Sequence, residues 1–265
     1  MFQPLYVAAT GLSAMEEEIL NITNNLANAK TVGFKKGRAE MESLFYVEKS
    51  FQDTLYEAMS GYETNPIGVE YGTGVRVAAT PSDFTQGAMD VTNNPLDVAI
   101  QGTGFLQFKM PDGSAAYGRA GNLHIDNEGN LVDPNGRLLD PEVVIPEGTT
   151  SVVFQQDGTI LVAVNNEKEY SEIGQLNLAR FTNPAGLKSI GQNLYAASEA
   201  SGEPMMGIPN ENGYGSLNQY ALEQSNVDVI SEMMKMVMVQ RVFDTVTKAV
   251  QSYEGMLTSL EKMKQ

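Results

Sequence analysis

Residues 5–29 read LYVAATGLSAMEEEILNITNNLANA, and their spacing decides what the ends of this fold must be. Leu5, Ala8, Leu12, Met15, Ile19, Ile22, Leu26 and Ala29 alternate steps of three and four without a break. Such a run returns apolar side chains to one line of an α-helix, and over about four heptads it predicts a coiled-coil seam. Ala9, Gly11 and Ala14 beside the seam leave room for close helix approach. Pro4 suits a first helical turn, where no N–H donor is needed. Gly33, in Thr31-Val32-Gly33-Phe34, ends the pattern as a natural helix terminator.

The far end of the chain repeats the theme more broadly. Residues 236–260 read MVMVQRVFDTVTKAVQSYEGMLTSL, in which Val239, Val246, Tyr253 and Leu260 recur every seven positions. One flank carries Met236, Phe243, Val250 and Leu257; the other carries Val242, Ala249, Met256 and Met263. Three apolar positions per heptad make a stripe wider than a two-stranded coil occupies. With Ser225 or Asn226 as N-cap, the helix would run about 39 residues, roughly 58 Å. A single N-terminal helix covers one flank of such a stripe and leaves the other to water. Either both helices dock on the chain's own middle, or the uncovered flank is an interface.

Between the helices the texture changes to short alternating runs with turn signals between them. Leu96 to Ile100, Phe105 to Met110, Leu123 to Ile125, Val152 to Phe154, Ile160 to Val164 and Leu176 to Phe181 read as strands. Pro111-Asp112-Gly113, Asp126 to Asn130, Asp133 to Gly136 and Asp157-Gly158 read as turns. The expected fold class is α+β: terminal heptad helices forming a coiled-coil-like unit, with a central, mainly antiparallel β barrel or sandwich. The expected division is residues 1–35 with 225–265 as the helical part and 81–199 as the β domain. Residues 36–80 with 200–224 form an extended connector between them, in which Met41, Leu44 and Phe45 suit a short helix.

Composition removes most chemistry. Of 265 residues, 17 are Lys or Arg and 33 are Asp or Glu, a net charge of −16 that argues against nucleic-acid binding. Cysteine is absent and His124 is the only histidine, so thiolate nucleophiles, Cys-ligated zinc and Ser-His-Asp triads lack raw material. The two Gly-Thr-Gly triplets at 72–74 and 102–104 lack the third glycine of a dinucleotide site. The 126–130 turn lacks the spacing of a calcium loop. No catalytic, cofactor-binding or metal-binding residues are therefore assigned. No apolar run reaches the roughly 18 residues of a membrane span, and Glu16, Glu17 and Glu18 interrupt any cleavable signal. An enzyme or carbohydrate-binding module on a β core would need convergent polar residues, which the sequence does not display.

Three sets of motifs carry a family resemblance. At the N-terminus they are Ala8-Ala9-Thr10-Gly11-Leu12-Ser13-Ala14, Asn24-Asn25-Leu26-Ala27-Asn28 and Thr31-Val32-Gly33-Phe34-Lys35. At the C-terminus they are Ser225-Asn226-Val227-Asp228, Glu232-Met233, Gln240-Arg241, Lys248-Ala249 and Met256-Leu257. In the middle they are Asn94-Pro95-Leu96-Asp97-Val98-Ala99-Ile100-Gln101-Gly102, Tyr117-Gly118-Arg119 and Gly191-Gln192-Asn193-Leu194-Tyr195. In order and spacing these resemble the flagellar basal-body rod and hook family over nearly the whole chain. The connector motifs Gly72 to Val77 and Phe84-Thr85-Gln86-Gly87, with the overall length, are most similar to its distal-rod branch; a proximal rod or other hook-type axial subunit is the alternative.

The resemblance implies a homo-oligomeric helical polymer in the periplasmic basal body. It implies passage through the flagellar export apparatus without a cleavable signal, and contact with other rod proteins, the hook protein and bushing ring proteins. It makes the helix seams the self-assembly interface: Leu5, Leu12, Ile19, Ile22 and Leu26 on the first, and Met236, Val239, Phe243, Val246, Val250, Tyr253, Leu257 and Leu260 on the second. Phe51, Tyr56, Tyr62 and Tyr71 in the connector become candidate anchors between neighbours. Half-covered seams at both ends predict that limited proteolysis of the monomer trims about 35 N-terminal and about 40 C-terminal residues before the β core. Equal protection of ends and core in a time course read by mass spectrometry would refute it.

Overall fold

The heptad spacing at both ends becomes helix. In the computed structural model, which describes residues 3–49, 69–164 and 170–263, α1 spans Gln3–Ala27 and α2 spans Val229–Met263. The connector aromatics Phe51, Tyr56 and Tyr62 lie outside the described residues. By packing, the chain divides into two units. One comprises Met1–Asn24, Arg38–Thr80 and Ile230–Gln265, and the other Asn25–Gly37 and Pro81–Val229.

In the first unit, the expected short helix at Met41, Leu44 and Phe45 is instead extended. Glu40–Ser43 pairs antiparallel with Val75–Ala79, and Tyr46–Lys49 pairs with Val69–Gly72. Cross-strand partners decide the outcome: Glu42 stands opposite Arg76 and forms an ion pair with it, a pairing that local helix propensity cannot offer. Between the two ladders Thr73 is buried, and its hydroxyl donates to the Phe45 carbonyl at 2.6 Å. The helix α1 meets this ribbon at Thr10, whose Oγ1 accepts from the Val75 N–H at 3.4 Å. Gly74, at φ +129°, is required there, because a Cβ would stand 2.1 Å from that same oxygen. The first Gly-Thr-Gly triplet is thus a ribbon corner.

The second unit is antiparallel β. Its main sheet has seven strands in the order Lys188–Gly191, Leu194–Ala196, Ala115–Gly118, Leu106–Lys109, Leu138–Asp140, Leu131–Val132 and His124–Ile125. A three-stranded meander, Thr149–Phe154, Thr159–Val164 and Ser171–Gln175, shares a core with it. Leu106, Phe108, Leu139 and Leu194 from the sheet join Val152, Phe154, Ile160 and Val162 from the meander. Period-two alternation puts the neighbouring residues on the opposite face. There Phe105, Tyr117 and Tyr195 meet Phe84 and Phe181 in edge-to-face contacts with centroids 4.9–6.5 Å apart. Residues 200–224 contribute three strands, Met205–Gly207, Ser216–Gln219 and Ala221–Glu223.

A buried charge cluster ties the root of α1 to the start of α2 within this unit. Lys35 Nζ donates to Glu223 Oε1 at 2.6 Å with both side chains fully buried, and Arg119 reaches Glu223 Oε2 at 3.1 Å. The same Lys35 donates to the Thr85 carbonyl at 2.7 Å, and the Gly87 N–H donates to Glu223 Oε1 at 2.9 Å. Backbone bonds reinforce it: Gly33 N–H donates to the Glu223 carbonyl at 2.8 Å. Gly33 holds φ +69°, and a Cβ there would stand 2.6 Å from the Ala120 nitrogen. Asn25 clamps Gly37 in both directions, donating to its carbonyl and accepting from its N–H, each at 2.9 Å. Asn226 does not cap α2 as expected. Its carboxamide accepts from Lys36 N–H and donates to the Asp83 carbonyl, both at 2.8 Å, and the helix begins only at Val229.

Burial pushes the Glu223 carboxyl up, but Arg119, Lys35 and the Gly87 N–H together outweigh it and hold the group below the ordinary carboxylate value. Burial pulls the Lys35 amine down, against the partial support of Glu223. A carboxyl depressed on folding contributes stability above its unfolded pKa and loses it as pH falls through the lower folded value. Glu223→Gln is therefore expected to cost about 3–5 kcal/mol in urea unfolding at neutral pH, since two buried cations lose their only counter-charge. Lys35→Met should cost less, because Arg119 still holds the carboxylate. The gap between wild type and Glu223→Gln should narrow below about pH 4.5 as wild-type Glu223 protonates. A gap unchanged down to acid pH would show that the cluster contributes nothing as an ion pair.

Candidate assembly interface

Along α2 the shielded residues fall on one heptad line. Glu232, Met236, Val239, Phe243, Val246, Val250, Tyr253 and Leu257 are buried or half-buried at steps of four and three, and Val239 is only 8% exposed. The parallel line is open to solvent: Val242, Ala249, Met256 and Met263 are exposed, the last two at 56% and 83%. Leu260, assigned to the seam from sequence, is exposed at 58%. A second open apolar group, Ile230, Met233, Met234, Val237 and Met238, lies in the first turns of the helix.

On α1 the seam residues Leu5, Leu12, Ile19 and Leu26 are half-buried, while Ile22 and Ala14 are buried. Tyr6 and Leu20 point to solvent. One isolated chain therefore shields a single face of each helix. The unshielded line on α2 is too regular to be incidental, since chance exposure of apolar residues is scattered rather than spaced by seven.

The seam is not wholly apolar. Glu232 is buried on the α2 line, where it accepts from Lys235 at 2.6 Å, and Asn25 is buried beside the α1 line. Polar groups at seam positions fix register at some cost in stability, because a slipped alignment strands them among hydrocarbon. Sequence reasoning missed both, and it missed the Lys35–Glu223–Arg119 cluster. The available signal was positional: Lys35 closes the first quoted motif set and Arg119 closes Tyr117-Gly118-Arg119, yet neither residue type suggests burial.

His124 is exposed on its strand, and among the described residues no cluster of His, Asp or Glu is arranged to hold a metal ion. Among them, too, no helix is long and apolar enough to cross a membrane. The 126–130 loop is a turn with Gly129 at φ +86°, its N–H donating to the Asp126 carbonyl at 2.9 Å.

Family models match three stretches of the chain. That of the flagella basal body rod protein covers residues 5–35, that of the flagellar hook protein FlgE/F/G D1 domain residues 99–162, and that of the flagellar basal body rod FlgEFG protein C-terminal region residues 218–263. The chain is similar to the flagellar basal-body rod protein FlgG of Buchnera aphidicola subsp. Acyrthosiphon pisum, at 40% identity over 99% of this chain and 100% of the relative. To FlgG of Borreliella burgdorferi it is 38% identical, over 100% of this chain and 99% of the relative. It is 26% identical to the flagellar hook-basal body complex protein FlhP of Bacillus subtilis over 97% of both chains.

The two lines of α2 should respond differently to charge. Val239→Asp is expected to destabilise the monomer by about 3 kcal/mol or more, as an unpaired carboxylate enters a packed seam. Met256→Asp should leave the monomer within about 0.5 kcal/mol of wild type. Helix-specific hydrogen exchange on the two variants measures this, and equal effects would remove the distinction between the lines.

Proposed function

The chain belongs to the flagellar basal-body rod protein family and is a structural subunit of the distal rod; from that premise we propose how it assembles. The observation that carries the proposal is the exposed second apolar line of α2. In the assembled state α1 and α2 pair along their shielded seams as a coiled-coil-like unit. Val242, Ala249, Met256 and Met263, with Leu260, then face helices of neighbouring copies. Each aliphatic side chain buried in that step contributes about 1.5–3 kcal/mol, enough for a few per subunit to drive polymerisation.

In this reading residues 1–35 and 225–265 form the inner wall of a hollow helical shaft, residues 81–199 the outer wall, and 36–80 with 200–224 the connection between them. Torque is carried, in the same reading, by the chain segments around the buried Lys35–Glu223–Arg119 cluster, which joins the stretch after α1 to the stretch before α2. The shaft adjoins other rod proteins, the hook protein and the bushing ring proteins. It is built in the periplasm from chains delivered by the flagellar export apparatus. The rival reading as an enzyme or sugar-binding module has no arrangement of residues to support it, and the rod relatives are structural proteins.

Assembly separates the roles of the two lines. Val242→Asp and Met256→Asp are expected to yield stable monomers that form no rods, and Val246→Asp, on the shielded line, to fail in both respects. Electron microscopy of concentrated protein and motility of cells carrying each variant provide the measurement. Normal rods and swimming in Met256→Asp would eliminate the open line as the assembly surface.

A further inference from the structure

We propose that a cavity in the β unit, walled by Arg119, Arg180, Thr103, Phe105, Phe181 and Met205, receives an acidic side chain from a second copy of this chain. The proposal rests on the subunit reading above and adds to it a specific ionic contact between β units. The cavity holds about 350 Å³, more than a bare ion fills and suited to a side chain.

Its electrostatics are unbalanced in one direction. The cluster behind it contains two cations, Lys35 and Arg119, and a single carboxylate, Glu223, so one buried positive charge is left over. Arg119 is 4% exposed and uses Nη1 on Glu223 and Nη2 on the Gly102 carbonyl, while its buried Nε has no hydrogen-bond partner. The Arg119 guanidinium lies 5.5 Å from the centre of the Phe105 ring, which lines the cavity. Arg180 adds a second guanidinium, 5.6 Å from the Tyr214 ring, with no hydrogen bond or ion pair to its side chain among the described residues. Two guanidiniums and two phenylalanine rings line the same cavity, a lining that favours a carboxylate over a neutral group.

Charge complementarity identifies the partner. A chain with 33 acidic and 17 basic residues repels its own copies unless its few unpaired cations are placed to meet their carboxylates. The cavity opens to solvent, and its wall includes the exposed apolar side chain of Met205. A polar centre beside an apolar wall is an arrangement found in protein interfaces.

The test uses the full chain. Arg180→Glu is expected to raise the critical concentration for polymer formation about tenfold or more without lowering the unfolding midpoint of the monomer. Arg180→Gln, which removes the charge without repelling a carboxylate, keeps the test readable if Arg180→Glu misfolds, and it should raise the critical concentration less. A photo-crosslinking residue at Met205 should join another copy in wild-type polymers at a segment containing Asp or Glu, and reversing that acid to Arg should restore assembly of Arg180→Glu. Unchanged critical concentration in both Arg180 variants, or crosslinks confined to a single chain, would overturn the proposal. Wild-type protein that stays monomeric at every concentration would instead refute the subunit reading and, with it, the second copy as occupant.

Discussion

The fully buried contact of Lys35 with Glu223 is the constraint on which the other elements depend. Neither charge would tolerate that position alone, and each is satisfied only when the segments after α1 and before α2 stand side by side on the β unit. The Gly33 N–H to Glu223 bond, the Asn25 clamp on Gly37 and the Asn226 contacts all gather around that point. A buried ion pair is a weak source of net stability. It is a strong source of specificity, since any displacement of either segment exposes a bare charge to hydrocarbon. Here the specificity is spent on joining the stretch that follows α1 to the stretch that precedes α2.

With their roots fixed, the helices face unequal tasks. The shielded line of α2 is continuous from Glu232 to Leu257, and the open line from Val242 to Met263 repeats it one flank away. The first is satisfied within the chain and the second is not. The methionines of the open groups, Met233, Met234, Met238, Met256 and Met263, are unbranched and adaptable. Such side chains settle against surfaces that are similar without being identical. A subunit with several neighbours benefits from that tolerance, whereas the Val239 position within its own fold does not need it.

The heptads were legible because helical periodicity is a local property: every seam residue named from sequence except Ala29, in the turn just after α1, lies in α1 or α2. The six strands read from alternation also formed, with edges shifted by at most three residues. What failed was non-local. Glu40–Ser43 looked helical because its partner, Val75–Ala79, is more than thirty residues away in sequence. Ser225 and Asn226 looked like caps because their chemistry fits, yet Asn226 is engaged by Lys36, a residue 190 positions earlier. Lys35 stood out only as the end of a motif and Glu223 not at all, since nothing near either one signals burial. The site was legible where it repeats and illegible where it is assembled from distant pieces.

The sequence distance within that contact has a kinetic side. Lys35 and Glu223 are 188 residues apart, and closing so long a loop carries an entropic cost that is recovered only after the intervening strands have ordered. That contact is therefore expected to close late in the folding of the β unit, after the strands between its two ends have drawn them together.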